Sequence, residues 1–146
     1  MKNWRTIYSD GIIYNGQIEY GAYIRHIPPY TELPSGLRVP NPIDYRNLIN
    51  SLGNNAFAVL TDPNGFSAKP YGYIRKTDGP VAQPNLEDFN NKAYFATTDD
   101  GTTVMCLVVD FTTQTVYMKY LPSRTYLGGF GSFYINYYYP IRLMKG

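Results

Sequence analysis

The chain carries little of the equipment for catalysis or metal binding. Among its 146 residues are one histidine (His26), one cysteine (Cys106), one tryptophan (Trp4) and three glutamates. Mechanisms built on Ser/His or Cys/His pairs need an imidazole beside a nucleophile. His26 is followed by Ile27-Pro28-Pro29, with no serine or cysteine motif nearby, and reads as a strand-end or loop side chain. Zinc requires several Cys or His at close spacing, so no metal site is expected. A lone cysteine precludes an internal disulfide, in keeping with a reducing cytosol or a particle assembled inside one.

Other absences narrow the class. Thirteen Lys and Arg against eleven Asp and Glu leave a net charge of +2, with no basic run. Nucleic acid should therefore bind weakly at most and with strong salt sensitivity, even if Arg75, Lys76, Lys119 and Arg124 lie among aromatic rings. The longest apolar stretch, Val104 to Val109, is far too short to span a bilayer. The N-terminal MKNWRTIYSDG has no apolar core of a signal peptide. The expected location is a virion or the host cytoplasm, without membrane insertion.

Carboxylate chemistry has no selected pair. Glu19, Glu32, Glu87, Asp44 and Asp88 are each explained as solvated or helix-capping acids, although two of them across a cleft would suit glycoside hydrolysis. Asp62-Pro63-Asn64-Gly65 and Asp99-Asp100-Gly101 hold oxygen ligands but lack the closing glutamate of a calcium loop, and read as hairpin turns. Leu127-Gly128-Gly129-Phe130-Gly131-Ser132 lacks a phosphate-binding lysine and leads into a strand, so it reads as a turn or bulge. No cofactor is expected, and no catalytic residue is assigned.

What the chain does have is turn chemistry and tyrosine. Ser9-Asp10-Gly11, Asn15-Gly16, Asp62-Pro63-Asn64-Gly65, Thr77-Asp78-Gly79-Pro80 and Asp99-Asp100-Gly101 punctuate runs rich in Ile, Val, Thr, Tyr and Phe. Such dipeptides tolerate positive φ and predict hairpins, Asn15-Gly16 most strongly. Strands are expected over 4–8, 11–14, 17–24, 56–61, 66–76, 93–98, 102–112, 115–121 and 132–143. Residues 26–42 hold five of the eleven prolines and predict an extended surface loop or arm unable to sustain a ladder. Asn41 then caps, Pro42 suits the first helical position, and Tyr45, Leu48, Ile49 and Leu52 share a stripe before Gly53, which predicts one short helix near 42–52. Residues 85–92 suggest a further helical turn.

Val104-Met105-Cys106-Leu107-Val108-Val109 has no polar alternation, which places it mid-sheet with both faces covered and makes Cys106 an inert core thiol. The expected fold is mostly β or α+β, a single domain over 1–146 in which an antiparallel sheet, sandwich or barrel is built from hairpins with one helix.

Sixteen tyrosines bias the chain towards contact surfaces, since each pairs a large apolar ring with a polar tip. Over residues 133–139, alternation puts Phe133, Ile135, Tyr137 and Tyr139 on one face and Tyr134, Asn136 and Tyr138 on the other. Tyr71, Tyr73 and Arg75 share a face of a second cluster. Such rows either fill a wide sheet interior or meet partners. Tyr71, Tyr73, Arg75, Arg124, Tyr134 and Tyr138 are the ligand-binding candidates, with the arginines serving anionic groups. Abundant Tyr, Asn, Thr, Gly and Pro with scarce Glu and Lys suggest fixed contacts. The expected function is therefore a non-enzymatic viral structural or attachment protein, a capsid, decoration or fibre component that self-associates or meets other virion proteins. The alternative is a stand-alone binder of a carbohydrate or small anionic ligand, or an inhibitor of a host defence protein.

Overall fold

The computed structural model describes residues 36–78, 83–97, 102–128 and 133–145, together with three two-residue strands, β1 (Arg5–Thr6), β2 (Gly11–Ile12) and β3 (Tyr23–Ile24). His26, the Asn15-Gly16 turn and most of the proline-rich segment lie outside the described residues. The fold is mostly β, with antiparallel ladders and no closed barrel among the described strands.

At its centre is a meander of β7 (Lys92–Ala96), β8 (Thr103–Asp110) and β9 (Thr115–Pro122). The apolar run of β8 occupies the middle position, and alternation sends its side chains to two different cores. Leu107 and Val109 pack with Phe95, Ala93, Tyr45, Leu60 and Phe66 on the helical side. Val104, Cys106 and Val108 pack with Tyr94, Ala96, Tyr139, Ile141 and Val39 on the other. Leu107, Val108 and Val109 are completely buried, each worth roughly 1.5–3 kcal/mol of transfer free energy. The β8–β9 turn uses no glycine or proline. Instead the Asp110 carboxylate accepts from the Thr112 and Thr113 amides and the Thr112 hydroxyl, and Gln114 takes a φ of 56°.

Helix α1 (Pro42–Leu52) forms as its start signals predict. Asn41 Oδ1 accepts from the Asp44 amide at 2.9 Å, and the Asn41 amide donates back to Asp44 Oδ2 at 2.7 Å. Tyr45 is fully buried beneath the helix. Helical structure does not end at Gly53, however. A 3-10 turn (Gly53–Asn55) leads into α2 (Ala56–Thr61), where a strand was expected. Ala and Leu favour helix, and the spacing of Ala56 and Leu60 lets both be buried on one side, so packing against the meander decides a short apolar run that periodicity leaves ambiguous.

The expected strand over 66–76 is likewise shortened to β5 (Tyr73–Thr77). Its first half folds back on the helix end: Ser67 has a φ of 55°, and the Ala68 amide donates to Leu60 O at 2.8 Å. Residues 85–87 form strand β6 (Asn85–Glu87) instead of a helical turn, because pairing with β5 holds them extended until Asp88 and Asn90 turn with positive φ.

The second sheet centres on β11 (Phe133–Pro140). It pairs with β5 along one edge; along the other it pairs with β10 (Arg124–Gly128) and, further on, with β3. The chain then enters β12 (Arg142–Lys145), which pairs with β1 and with β4 (Leu37–Arg38). Thus the run expected as one strand is divided at Ile141. The end of the proline-rich segment also corrects its expectation, since the proline-free stretch before Pro40 supplies a ladder strand and Val39 and Pro40 are buried.

Candidate functional site: the outer face of strands β10 and β11

The two tyrosine rows of β11 have different fates. Tyr137 and Tyr139 pack into the core between the sheets with Tyr73 and Tyr94. Tyr73 meets Tyr94 edge-on at 5.0 Å between centroids and lies 5.3 Å from Tyr139. The hydroxyls reach the rim, as that of Tyr139 donates to Pro122 O at 2.6 Å and that of Tyr94 donates to Asp88. Burial, first of all, pushes the phenols of Tyr73, Tyr94 and Tyr139 upward, and the nearby Asp88 adds to the shift at Tyr73 and Tyr94. These phenols stay neutral at physiological pH and hold the layers together.

The alternate residues Tyr134, Asn136 and Tyr138 therefore look away from the meander. Register carries this outer face across three strands. Lys76 on β5 lies opposite Asn136, and Asn136 lies opposite Arg124 on β10. In the next row Tyr134 lies opposite Tyr126, and Asp78, just past β5, donates its amide to Tyr134 O. The Arg124 guanidinium sits 3.7 Å from the centre of the Tyr134 ring, and Tyr126 lies 5.2 Å from that ring. Asn136 is nearly buried beneath these longer side chains, and its amide donates to Asp78 Oδ1 at 2.6 Å. The other Asp78 oxygen accepts from the Tyr134 amide. Exposure concentrates at the β10 end, where Tyr126 is 59% exposed and Arg124 is also exposed, whereas Ile74 on the same face is completely buried.

The six candidate residues thus fall in different places. Arg124, Tyr134 and Tyr138 share the outer face. Tyr73 and Arg75 belong to the inner parity: Tyr73 is half-buried in the core, and Arg75, beyond its edge, pairs with Glu87 at 3.5 Å. Tyr71 precedes β5 and stacks on Phe89 at 6.0 Å. It is set by Gly72, whose positive φ and close approach to the Glu87 carbonyl admit no side chain. Tyr126 and Lys76 join the outer face although neither stood among the ligand-binding candidates. Alternation of Arg124 and Tyr126 is readable, but no strand is expected between 121 and 132, and the end of β10 falls in the glycine-rich stretch read as a turn or bulge.

Among the described residues no group of three or more His, Cys, Asp or Glu gathers to hold a metal ion. None of their helices is long and apolar enough to cross a membrane. No family model matches the chain, and neither curated proteins nor solved structures give a match.

Proposed function

We propose that this chain is a non-enzymatic contact module, a structural or attachment component of a virion, that works by presenting the outer face of β10 and β11. The observation that carries the reading is the division of labour between tyrosine rows: Tyr137 and Tyr139 are spent on the core, while Tyr126, Tyr134 and Arg124 form a ring-and-cation cluster at the surface. Tyrosine and arginine are among the side chains most enriched where proteins gain binding energy. The assignment to a virion rests on composition, with sixteen tyrosines and eleven prolines beside three glutamates.

Native mass by size-exclusion chromatography with light scattering, at several concentrations, tests the reading. A closed oligomer that dissociates on Tyr126→Ala supports an assembly subunit. A monomer at every concentration favours the second reading, a stand-alone binder, which draws support from Arg124 having no ion-pair partner among the described residues.

A further inference from the structure

We propose that the outer face docks an acidic polypeptide segment, with Arg124 and Lys76 as its two cationic anchors. The inference rests on the contact-face reading above and names the chemistry of the partner. Arg124, Asn136 and Lys76 form one lateral row over three adjacent strands. Two strand spacings set the backbones of the two cations about 10 Å apart, which matches carboxylates three residues apart on a polyproline-II chain, where three residues make one turn at about 3.1 Å each and both side chains lie on one side.

The charges in this row are unequal in their commitments. Arg38 and Arg75 each pair with a carboxylate, whereas among the described residues neither Arg124 nor Lys76 does. Asp78, the acid beside the row, has both oxygens engaged by Asn136 and by the Tyr134 amide. Stacking on Tyr134 orients the Arg124 guanidinium, so that less freedom is lost when its N–H edge meets a carboxylate in bidentate fashion. Neutral donors leave the Asp78 charge in place, so the face sets two cations against one carboxylate and keeps a net positive charge that suits an anion.

Ring geometry at Tyr134 disfavours the stacking of a base or a sugar there. A base or pyranose needs an open aromatic face. Tyr134 already carries Arg124 and has Tyr126 tilted at 55° beside it. A net charge of +2 also gives little neutralisation of a phosphate backbone.

The test is fluorescence anisotropy of a labelled deca-glutamate peptide with the full chain, alongside a labelled oligothymidylate. Binding of the peptide that weakens about tenfold in both Arg124→Gln and Lys76→Gln, and is unchanged in Arg75→Gln on the opposite parity, supports the inference. Absence of peptide binding, an equal loss in Arg75→Gln, or tighter binding of oligothymidylate through the same two cations overturns it. Because the two cations sit on different strands, Lys76→Gln still decides the matter if Arg124→Gln does not fold. Failure of the contact-face reading is separate: it shows as oligomers that Tyr126→Ala leaves intact, whereas a parent chain whose oligomers dissociate on Tyr126→Ala but that binds no peptide overturns only the acidic partner.

Discussion

Arg124 and Tyr134 are neighbours on adjacent strands, and the guanidinium lies 3.7 Å from the ring centre on the outward side of β11. An exposed cation–π contact of this kind is worth about 0.5–1 kcal/mol. Arg124→Gln should accordingly lower stability by no more than that in urea denaturation, while any loss of partner binding is far larger. A stability loss several times greater would make Arg124 a structural residue and weaken its assignment to a contact face.

Tyrosines of opposite parity on β11 should respond oppositely. Tyr139→Phe removes the donor to the Pro122 carbonyl at a buried position and should cost about 1–2 kcal/mol. Tyr138→Phe, on the other face, should stay within about 0.5 kcal/mol of the parent. Equal effects in parallel urea titrations would contradict the division into a core row and a surface row.

Gly72 admits no side chain. A Cβ there would stand 1.8 Å from the Glu87 carbonyl oxygen, and φ is +63°. Gly72→Ala should destabilise by roughly 2–4 kcal/mol, combining backbone strain with overpacking. Thermal unfolding followed by circular dichroism would check this, and an unchanged midpoint would refute the close approach of β5 and β6.

Acid should loosen the start of α1. Arg38 donates to both Asp44 oxygens, at 2.6 and 2.9 Å, and these bonds above all hold the Asp44 carboxyl below its ordinary range, with the Asn41 amide adding to them and burial opposing. A carboxylate with a depressed folded-state pKa contributes stability that is present above the unfolded value, near 4, and is lost as pH falls through the folded value. Asp44→Asn keeps an oxygen for the Asn41 amide but loses the ion pair with Arg38, so it should cost about 0.5–1 kcal/mol at neutral pH and show a shallower loss below pH 4. Chemical denaturation at pH 7 and at pH 3 would measure both; identical pH slopes for parent and variant would remove Asp44 from the account.

Local signals settled what depends on a few adjacent residues. Asn41, Pro42 and Asp44 specify the helix start because capping is made between groups three residues apart. The unbroken apolar run of β8 required cover on both faces, and alternation over 133–139 defined two tyrosine rows, since side-chain period follows from the pleat alone. The same residues did not say which row faces inward. That needed the meander, whose Tyr94, Cys106 and Val108 meet Tyr137 and Tyr139 across the sheets.

Tertiary packing likewise decided Ala56–Thr61, where apolar residues suitable for strand or helix became α2 because Ala56 and Leu60 bury together against the meander. The candidate face was half legible. Arg124, Tyr134 and Tyr138 were found from residue type and spacing, but Lys76 and Tyr126 joined them through register between strands distant in sequence, and Tyr73 left for the core. Composition and local periodicity determined that this chain makes sheets rich in tyrosine; only the packing of β5 and β11 against the meander decided which rings meet water, because burial is a property of surfaces brought together and not of the residues that form them.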